Sequence, residues 1–201
     1  SPSHSGNDVA RITLPNLLPD RIDSWHIHSV MPCFAPFTGE VSMTSRTTLQ
    51  IGLFTLLLCA DQLSKWWIQQ ADFQAASIID GFFNIIRAYN PGVAFSMFAD
   101  LPDAVRLWLL LGVTIGIAIA VLIWWWQERL RPGITSWLLV MILAGAAGNI
   151  WDRIQLGYVV DFVDWYVRAG GVEYHWPAFN IADACISVAV VLLLVTSFKK
   201  N

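Results

Sequence analysis

Acidic side chains beside strongly apolar segments are the feature of this sequence that could carry out chemistry. Asp161 lies within the run Val-Val-Asp-Phe-Val, and Asp183 lies four residues into the last apolar run. A charge at bilayer depth costs roughly 2.5–3.5 kcal/mol on insertion scales, so such residues rarely lie there without a function. Asp183 therefore needs a partner, for which Asp161 and Arg153 are the candidates. The stretch from Gly145 to Asp183 also contains Asp152 and Asp164.

Two carboxyl groups in one site are suited to the hydrolysis of an amide. Because two like charges a few ångströms apart do not both ionise cheaply, such a pair shares one proton and titrates as a unit. The ionised member activates water, and the protonated member supplies a proton to the leaving nitrogen. No Ser–His or Cys–His nucleophile is evident, since His175 is the only histidine beyond residue 43. His175 and Glu173 alone make a poor metal-ligand set, so we expect no metal or other cofactor.

Several of these residues also have purely structural interpretations. Asp152 and Arg153 could form an ion pair at a helix end. Asn180 could be only the N-cap of the last helix, because asparagine is a preferred capping residue. Asp164 is expected to be a solvated loop acid, and His175 a loop residue near the membrane interface.

The composition indicates a protein that spans a membrane several times. Of its 201 residues, 56% are hydrophobic and 13% charged, whereas a soluble domain is about one-quarter charged. The mean hydropathy is +0.54. The net charge is −3, without the excess of positive charge typical of proteins that bind nucleic acids, so no nucleic-acid partner is expected.

Four apolar segments are long enough, or nearly so, to be spanning helices. The first begins near Thr48 and contains Asp61 and Lys65, which lie on one helical face as an i, i+4 pair. This pair could be a simple intrahelical ion pair or could support a polar site. The third contains a run of small residues that lets helices approach closely. The second, third and fourth segments are predicted over residues 107–126, 134–151 and 180–198.

The remaining segments are a loop and an N-terminal extension. Residues 72–103 are rich in Val, Ile and Phe without a helical period, which predicts short strands on the membrane surface and a turn at Asn90-Pro91-Gly92. Residues 1–43 differ in composition, with five prolines, so we expect an extension outside the core of residues 44–201.

The positions of the basic residues predict the orientation. Counted from residue 44, lysine and arginine divide five against five between the two sides. One set lies next to span ends in short segments, where the positive-inside bias operates. We therefore expect both termini in the cytoplasm, on the side of Arg46, Arg129, Arg131, Lys199 and Lys200.

Four motifs occur in the order and spacing of the lipoprotein signal peptidase (signal peptidase II) family. They are DQLSK, NPGVAFS, GNIWDR followed by VVDF, and FNIAD. The resemblance extends from about Thr44 to Lys200. It implies four transmembrane helices with a small extracytoplasmic β-cradle and lid in the first outer loop. It also implies a bacterial inner-membrane protein with its site near the outer leaflet, and we expect a monomer in contact with membrane lipid.

The resemblance further implies an intramembrane aspartyl peptidase. Such an enzyme cuts a prolipoprotein just before the cysteine that carries a diacylglyceryl group. Asp161 and Asp183 would then be the catalytic pair. Residues matching the other motifs are expected to bind substrate or support the site: Asp61, Lys65, Asn90, Gly92, Asn149, Asp152, Arg153 and Asn180.

Two rival hypotheses belong to other functional classes. A small transporter or proton-relay protein could use the acids of its spans, but would be expected to distribute polar groups through the bilayer depth. A non-catalytic assembly subunit could carry structural ion pairs, but this hypothesis does not explain four motifs in register.

Overall fold

A computed structural model describes residues 43–70, 72–92 and 102–198 of the chain. Four helices form its framework: α1 (Met43–Ile68), α2 (Asp103–Glu128), α3 (Thr135–Leu156) and α4 (Ile181–Phe198). Three of them, α2, α3 and α4, are long and apolar enough to cross a membrane. α1 is as long as α2, but charged residues interrupt its apolar sequence. The predicted second, third and fourth spans are thus confirmed as apolar helices.

Helix α3 lies at the centre of the bundle, because it packs against α1, α2 and α4. Its sequence permits this. A Cβ atom on Gly145 would meet the backbone oxygen of Ala182, and one on Gly148 would meet the carboxylate of Asp61. The prediction that the small residues of α3 allow close approach is therefore correct, and one of these approaches brings an acid to the helix.

A four-stranded antiparallel sheet lies outside the helices. Its strands follow in the order β1 (Ala76–Ile79), β2 (Phe83–Asn90), β3 (Val159–Ala169) and β4 (Val172–His175). The short strands predicted in the 72–103 loop are present as β1 and β2. The expectation that the sheet belongs to this first loop alone is wrong, since its longest strand, β3, comes from the segment between α3 and α4. The β-branched and aromatic residues of Val159–Ala169 favour a strand, and they pair with β2.

The sheet is joined to the bundle through a small apolar core. Ile68, at the end of α1, and Val160, in β3, are both fully buried and belong to one cluster. Phe179, just before α4, is hydrogen-bonded to Val163 through the backbone. These contacts bring the start of β3 against the start of α4, and so determine where Asp161 and Asp183 lie.

Several segments fall outside the described residues. They are residues 1–42 of the N-terminal extension, residues 93–101 of the loop expected to contain the cradle and lid, and the C-terminal Lys199-Lys200.

Candidate active site

Asp161 and Asp183 approach each other from different elements. Asp161 is near the start of β3 and Asp183 is in the first turn of α4. Asn180 Nδ2 donates a hydrogen bond to Asp161 Oδ1 at 2.7 Å, and Asn149 Nδ2 donates one to Asp183 Oδ1 at 2.8 Å. Asn180 Nδ2 also lies 3.3 Å from Asn149 Oδ1. Two side-chain amides thus connect the two carboxylates.

The first turn of α4 orients Asp183. Asn180 Oδ1 accepts from the Asp183 backbone N–H at 2.9 Å, while Asp183 Oδ2 accepts a longer bond from the Asn180 backbone N–H at 3.4 Å. This reciprocal arrangement is a capping box with asparagine and aspartate in the two positions. Asn180 is therefore both the N-cap, as one interpretation of the sequence had it, and a direct partner of Asp161.

Asp161 receives its second amide from the end of β2. Asn90 Nδ2 donates to Asp161 Oδ2 at 3.0 Å, and Asn90 Oδ1 accepts from the Gly92 backbone N–H at 2.8 Å. Gly92 has φ +90°, and a Cβ there would collide with Leu110. The predicted turn is present, and glycine at position 92 lets the chain reverse while Asn90 points at the acid.

The surroundings of Asp161 favour its protonated form. Its carboxylate is almost fully buried, with a relative exposure of 2%, and it forms no ion pair within the described residues. Burial, followed by the charge of Asp183, raises the pKa of Asp161 to about 6 against the lowering effect of Asn90 and Asn180. A carboxyl group with that pKa exchanges protons near neutral pH, as acid–base catalysis requires.

A second polar cluster supports the first from the centre of the bundle. Lys65 Nζ lies 2.8 Å from Asp61 Oδ2, 2.9 Å from Asp152 Oδ2 and 3.1 Å from Asn149 Oδ1. An ammonium group has three protons, so all of its donors are used. Asn149 therefore connects the buried charge of Lys65 to Asp183.

The first and third helices hold this lysine cluster in register with α4 and β3. Asp61 Oδ1 accepts from the Ala182 backbone N–H at 2.9 Å, and Asp152 Oδ2 accepts from the Val160 N–H at 3.2 Å. Asp61 and Lys65 thus form the ion pair that was one of the two alternatives, and Asp61 also contacts the backbone of α4.

The structure answers two questions about partners that the sequence left open. Asp152 pairs with Lys65 rather than with Arg153, whose guanidinium instead donates to the Asn149 backbone oxygen at 3.2 Å. Among the described residues, neither Asp161 nor Arg153 is the hydrogen-bond partner of Asp183; two asparagines are. Packing brings Lys65 of α1 to Asp152 and Asn149 of α3 to Asp183, while Asn180 belongs to the same helix cap as Asp183.

Asp164 and His175 are also placed differently from the prediction. Asp164 is in β3 with a relative exposure of 4%, and it accepts from Asn84 Nδ2 at 2.9 Å. Its other oxygen lies 2.8 Å from His175 Nδ1, in β4. The expectations of a solvated loop acid and a loop histidine are therefore wrong, because both residues are paired across strands. The hydrogen bond with Asp164 raises the pKa of His175.

Two residues of this network escaped the sequence analysis. Gln62 Nε2 lies 3.1 Å from Asp61 Oδ2 and 3.0 Å from Asp152 Oδ1, so it joins the two acids that share Lys65. Gly148 leaves room for the Asp61 carboxylate. Both lie inside the motifs DQLSK and GNIWDR, which was the signal available for them.

All ten residues expected in the site therefore form one connected set of contacts. Comparisons with known proteins identify the family of the chain. The family model described as signal peptidase (SPase) II matches residues 53–199. The lipoprotein signal peptidase of Syntrophus aciditrophicus (strain SB) is 39% identical over 148 residues, which are 73% of this chain and 89% of that protein. The lipoprotein signal peptidase of Cupriavidus pinatubonensis is 40% identical over 163 residues, or 81% and 89%.

A solved structure has the same fold. It is described as a bacterial membrane enzyme determined by the in meso method at 1.9 Å resolution. It is 26% identical to this chain, superposes with a TM-score of 0.60, and the match covers 77% of this chain and 95% of the other. From the matched family model and these relatives, we conclude that the chain belongs to the signal peptidase II family.

Proposed function

We propose that this chain is an intramembrane aspartyl endopeptidase, which removes the signal peptide from diacylglyceryl-modified prolipoproteins just before the lipidated cysteine. The observation that carries the proposal is the meeting of Asp161 and Asp183 at the junction of β3 and α4, where side-chain amides join them. Family membership supplies the class of reaction and substrate.

The proposed reaction needs one ionised and one protonated carboxyl. The ionised acid takes a proton from water, whose oxygen attacks the carbonyl carbon of the scissile amide. The protonated acid hydrogen-bonds to the carbonyl oxygen as negative charge develops there. The tetrahedral intermediate then collapses, a proton passes to the nitrogen of the cysteine, and the C–N bond breaks. The pair gains one proton from water and gives one proton to the leaving nitrogen, so its total number of protons is the same before and after the reaction.

The remaining site residues are proposed to position the pair. Asn90, Asn149 and Asn180 hold the carboxylate oxygens, and Lys65 with Asp61 and Asp152 holds the elements together. Arg153 contributes a cation close to Asp183, and we propose that its guanidinium, which donates to the Asn149 backbone oxygen, also donates to a substrate carbonyl.

The direct test is cleavage of a lipid-modified preprolipoprotein by the purified protein without added metal. We expect a shortened product on a gel with the wild-type chain and none with Asp161→Asn. Intact substrate after incubation with a well-folded wild-type protein would contradict the proposal.

We further propose four spans with both termini in the cytoplasm. The positions of the basic residues support this orientation. Arg46, in the first turn of α1, donates to the backbone oxygen of Gly133, next to α3, so these two basic segments lie at the same end of the bundle. Labelling of single cysteines from outside should modify a probe at Gly171 and spare one at Arg131. The reverse pattern would place the site on the wrong side for lipoprotein maturation.

The core is proposed to be residues 44–201. The family model begins within α1, at residue 53. A chain beginning at Met43 should therefore insert and cleave normally, and loss of activity in a well-expressed truncation would contradict this boundary.

A further inference from the structure

An apolar cavity lies between three helices, apart from the residues assigned to the site. Its volume is about 330 Å³. Helix α3 packs against both α1 and α2, whereas α1 and α2 have little direct contact, and this leaves a groove between them. The groove is lined by side chains from all three helices, among them Ile51, Phe54, Ala118, Leu122, Leu143 and Ala147.

One end of this groove is closed by a buried glutamine whose polar atoms are all bonded. Gln50 Nε2 donates to Ser136 Oγ at 2.9 Å and to the Arg129 backbone oxygen at 3.1 Å. Gln50 Oε1 accepts from Trp125 Nε1 at 2.9 Å. Because the glutamine is satisfied, the groove offers apolar surface to an occupant and Gln50 offers it no free hydrogen-bonding group.

Two arginines lie next to that end of the groove. Arg46 Nη2 donates to Ser136 Oγ at 3.2 Å, and its buried Nε has no hydrogen-bond acceptor among the residues that the structure describes. The Arg129 guanidinium lies over the ring of Trp126, 3.4 Å from its centroid. Neither arginine forms an ion pair within the parts of the chain that the structure describes, since Glu128, the acid beside them in sequence, pairs with Arg131 at 2.7 Å.

We propose that an anionic phospholipid binds here, with one acyl chain in the groove between α1 and α2 and its phosphate paired with Arg46 and Arg129. Basic pockets between transmembrane helices at the cytoplasmic side bind anionic headgroups by this combination of charge and apolar surface. The lipid fills the gap between α1 and α2. Since α1 also carries Asp61 and Lys65, an occupied groove stabilises the helix on which the site is built.

The test uses the full chain and two lipids of matched acyl chains, phosphatidylglycerol and phosphatidylcholine. The purified protein in neutral detergent is titrated with each lipid, and retention of lipid is measured by native mass spectrometry alongside the thermal unfolding temperature. We expect phosphatidylglycerol to be retained and to raise the unfolding temperature, with phosphatidylcholine much weaker. Each arginine removed, as Arg46→Gln or Arg129→Gln, should weaken retention by about fivefold.

Matched variants distinguish binding in this groove from a general attraction of anionic lipid to the basic end of the bundle. Arg131→Gln removes a positive charge from the same end, but one that already pairs with Glu128, so it should leave retention unchanged. Ala118→Phe fills the groove without altering charge and should lower retention. Arg46→Lys retains the charge and should keep most of the binding, which guards against a fold that fails on loss of Arg46.

Three results would overturn the proposal. Equal retention of both lipids would show only apolar filling of the groove. A loss with Arg131→Gln as large as that with Arg129→Gln would show attraction to surface charge in general. Displacement of phosphatidylglycerol by a lipidated signal peptide would assign the groove to the substrate instead.

Discussion

Two pairs of aspartates meet at the junction of the bundle and the sheet, and they differ in what balances their charge. Asp61 and Asp152 share the ammonium of Lys65 at 2.8 and 2.9 Å. Asp161 and Asp183 receive amide hydrogen bonds instead and form no ion pair within the described residues. A cation thus contacts Asp61 and Asp152, whereas hydrogen-bond donors without charge hold Asp161 and Asp183. The second environment is the one that the proposed proton exchange needs, because no cation in contact fixes the carboxyl group in its ionised form.

The largest expected effect is on cleavage, when either Asp161 or Asp183 is replaced by a residue that does not exchange a proton. Asp161→Asn and Asp183→Asn should each abolish cleavage, because asparagine retains the shape of aspartate but neither takes nor returns the proton. The double variant should be little worse than each single one, since groups that act as a unit are not additive. The measurement is single-turnover release of signal peptide from a lipidated substrate.

The control for this pair is Glu173→Gln, at the exposed edge of the sheet, where Glu173 pairs with Arg168. It should leave most of the activity. If a stably folded Asp161→Asn or Asp183→Asn protein cleaved at nearly the wild-type rate, these acids would be structural, like Asp61 and Asp152. The proposed difference between the two pairs would then be contradicted.

Removing the cation should mainly affect stability. Lys65→Met leaves Asp61 and Asp152 as buried acids without a counter-charge, and breaking a buried pair in this way costs about 3–5 kcal/mol. The unfolding temperature in detergent should fall accordingly. The triple variant Lys65→Met, Asp61→Asn, Asp152→Asn removes all three charges and should recover part of the loss. A Lys65→Met protein as stable as wild type would show that the ion pairs contribute nothing.

A smaller effect is expected from removing one amide that bonds to the proposed catalytic pair. The raised pKa of Asp161, about 6, predicts an acidic limb of the activity profile near pH 6, with activity rising as that carboxyl ionises. Asn90 bonds to the ionised form and lowers this pKa, so Asn90→Ala should move the limb upward. A net hydrogen bond of about 1 kcal/mol corresponds to about 0.7 pH units.

The pH dependence of kcat/KM for cleavage by wild type and Asn90→Ala, which reports ionisations of the free enzyme, checks this shift. Asn84→Ala, which removes the amide that bonds to Asp164 rather than to Asp161, is the matched control and should leave the limb in place. A shift downward, or an equal shift in both variants, would contradict the assignment of the limb to Asp161.

The smallest effect is expected at the outer sheet. Because the pKa of His175 is raised in the folded protein, its pairing with Asp164 stabilises the fold fully below the pKa of the unfolded state. That contribution is lost as the pH rises through the folded pKa. The stability difference between wild type and His175→Gln should therefore be larger at pH 5.5 than at pH 9 in thermal unfolding. The same difference at both values would show that the histidine is bound in its neutral form.

The sequence alone was sufficient to predict the apolar helices, the turn at Asn90 and the set of polar residues that the fold brings together. Periodicity and composition are local properties, so they locate α2, α3 and α4 without knowledge of their neighbours. The motifs singled out ten residues for the candidate site, and the structure connects all ten by contacts.

The partners of each residue were decided only by the tertiary structure. The sequence left an ion pair between Asp152 and Arg153 open and favoured a solvated position for Asp164. The fold instead pairs Asp152 with Lys65 and buries Asp164 between Asn84 and His175. A buried charge must be satisfied by whichever group the packing brings near, and that group can be far away in the chain. Residue type determined that these acids needed partners. The approach of α1, α3, α4 and the sheet determined which acids received a cation and which received only amides.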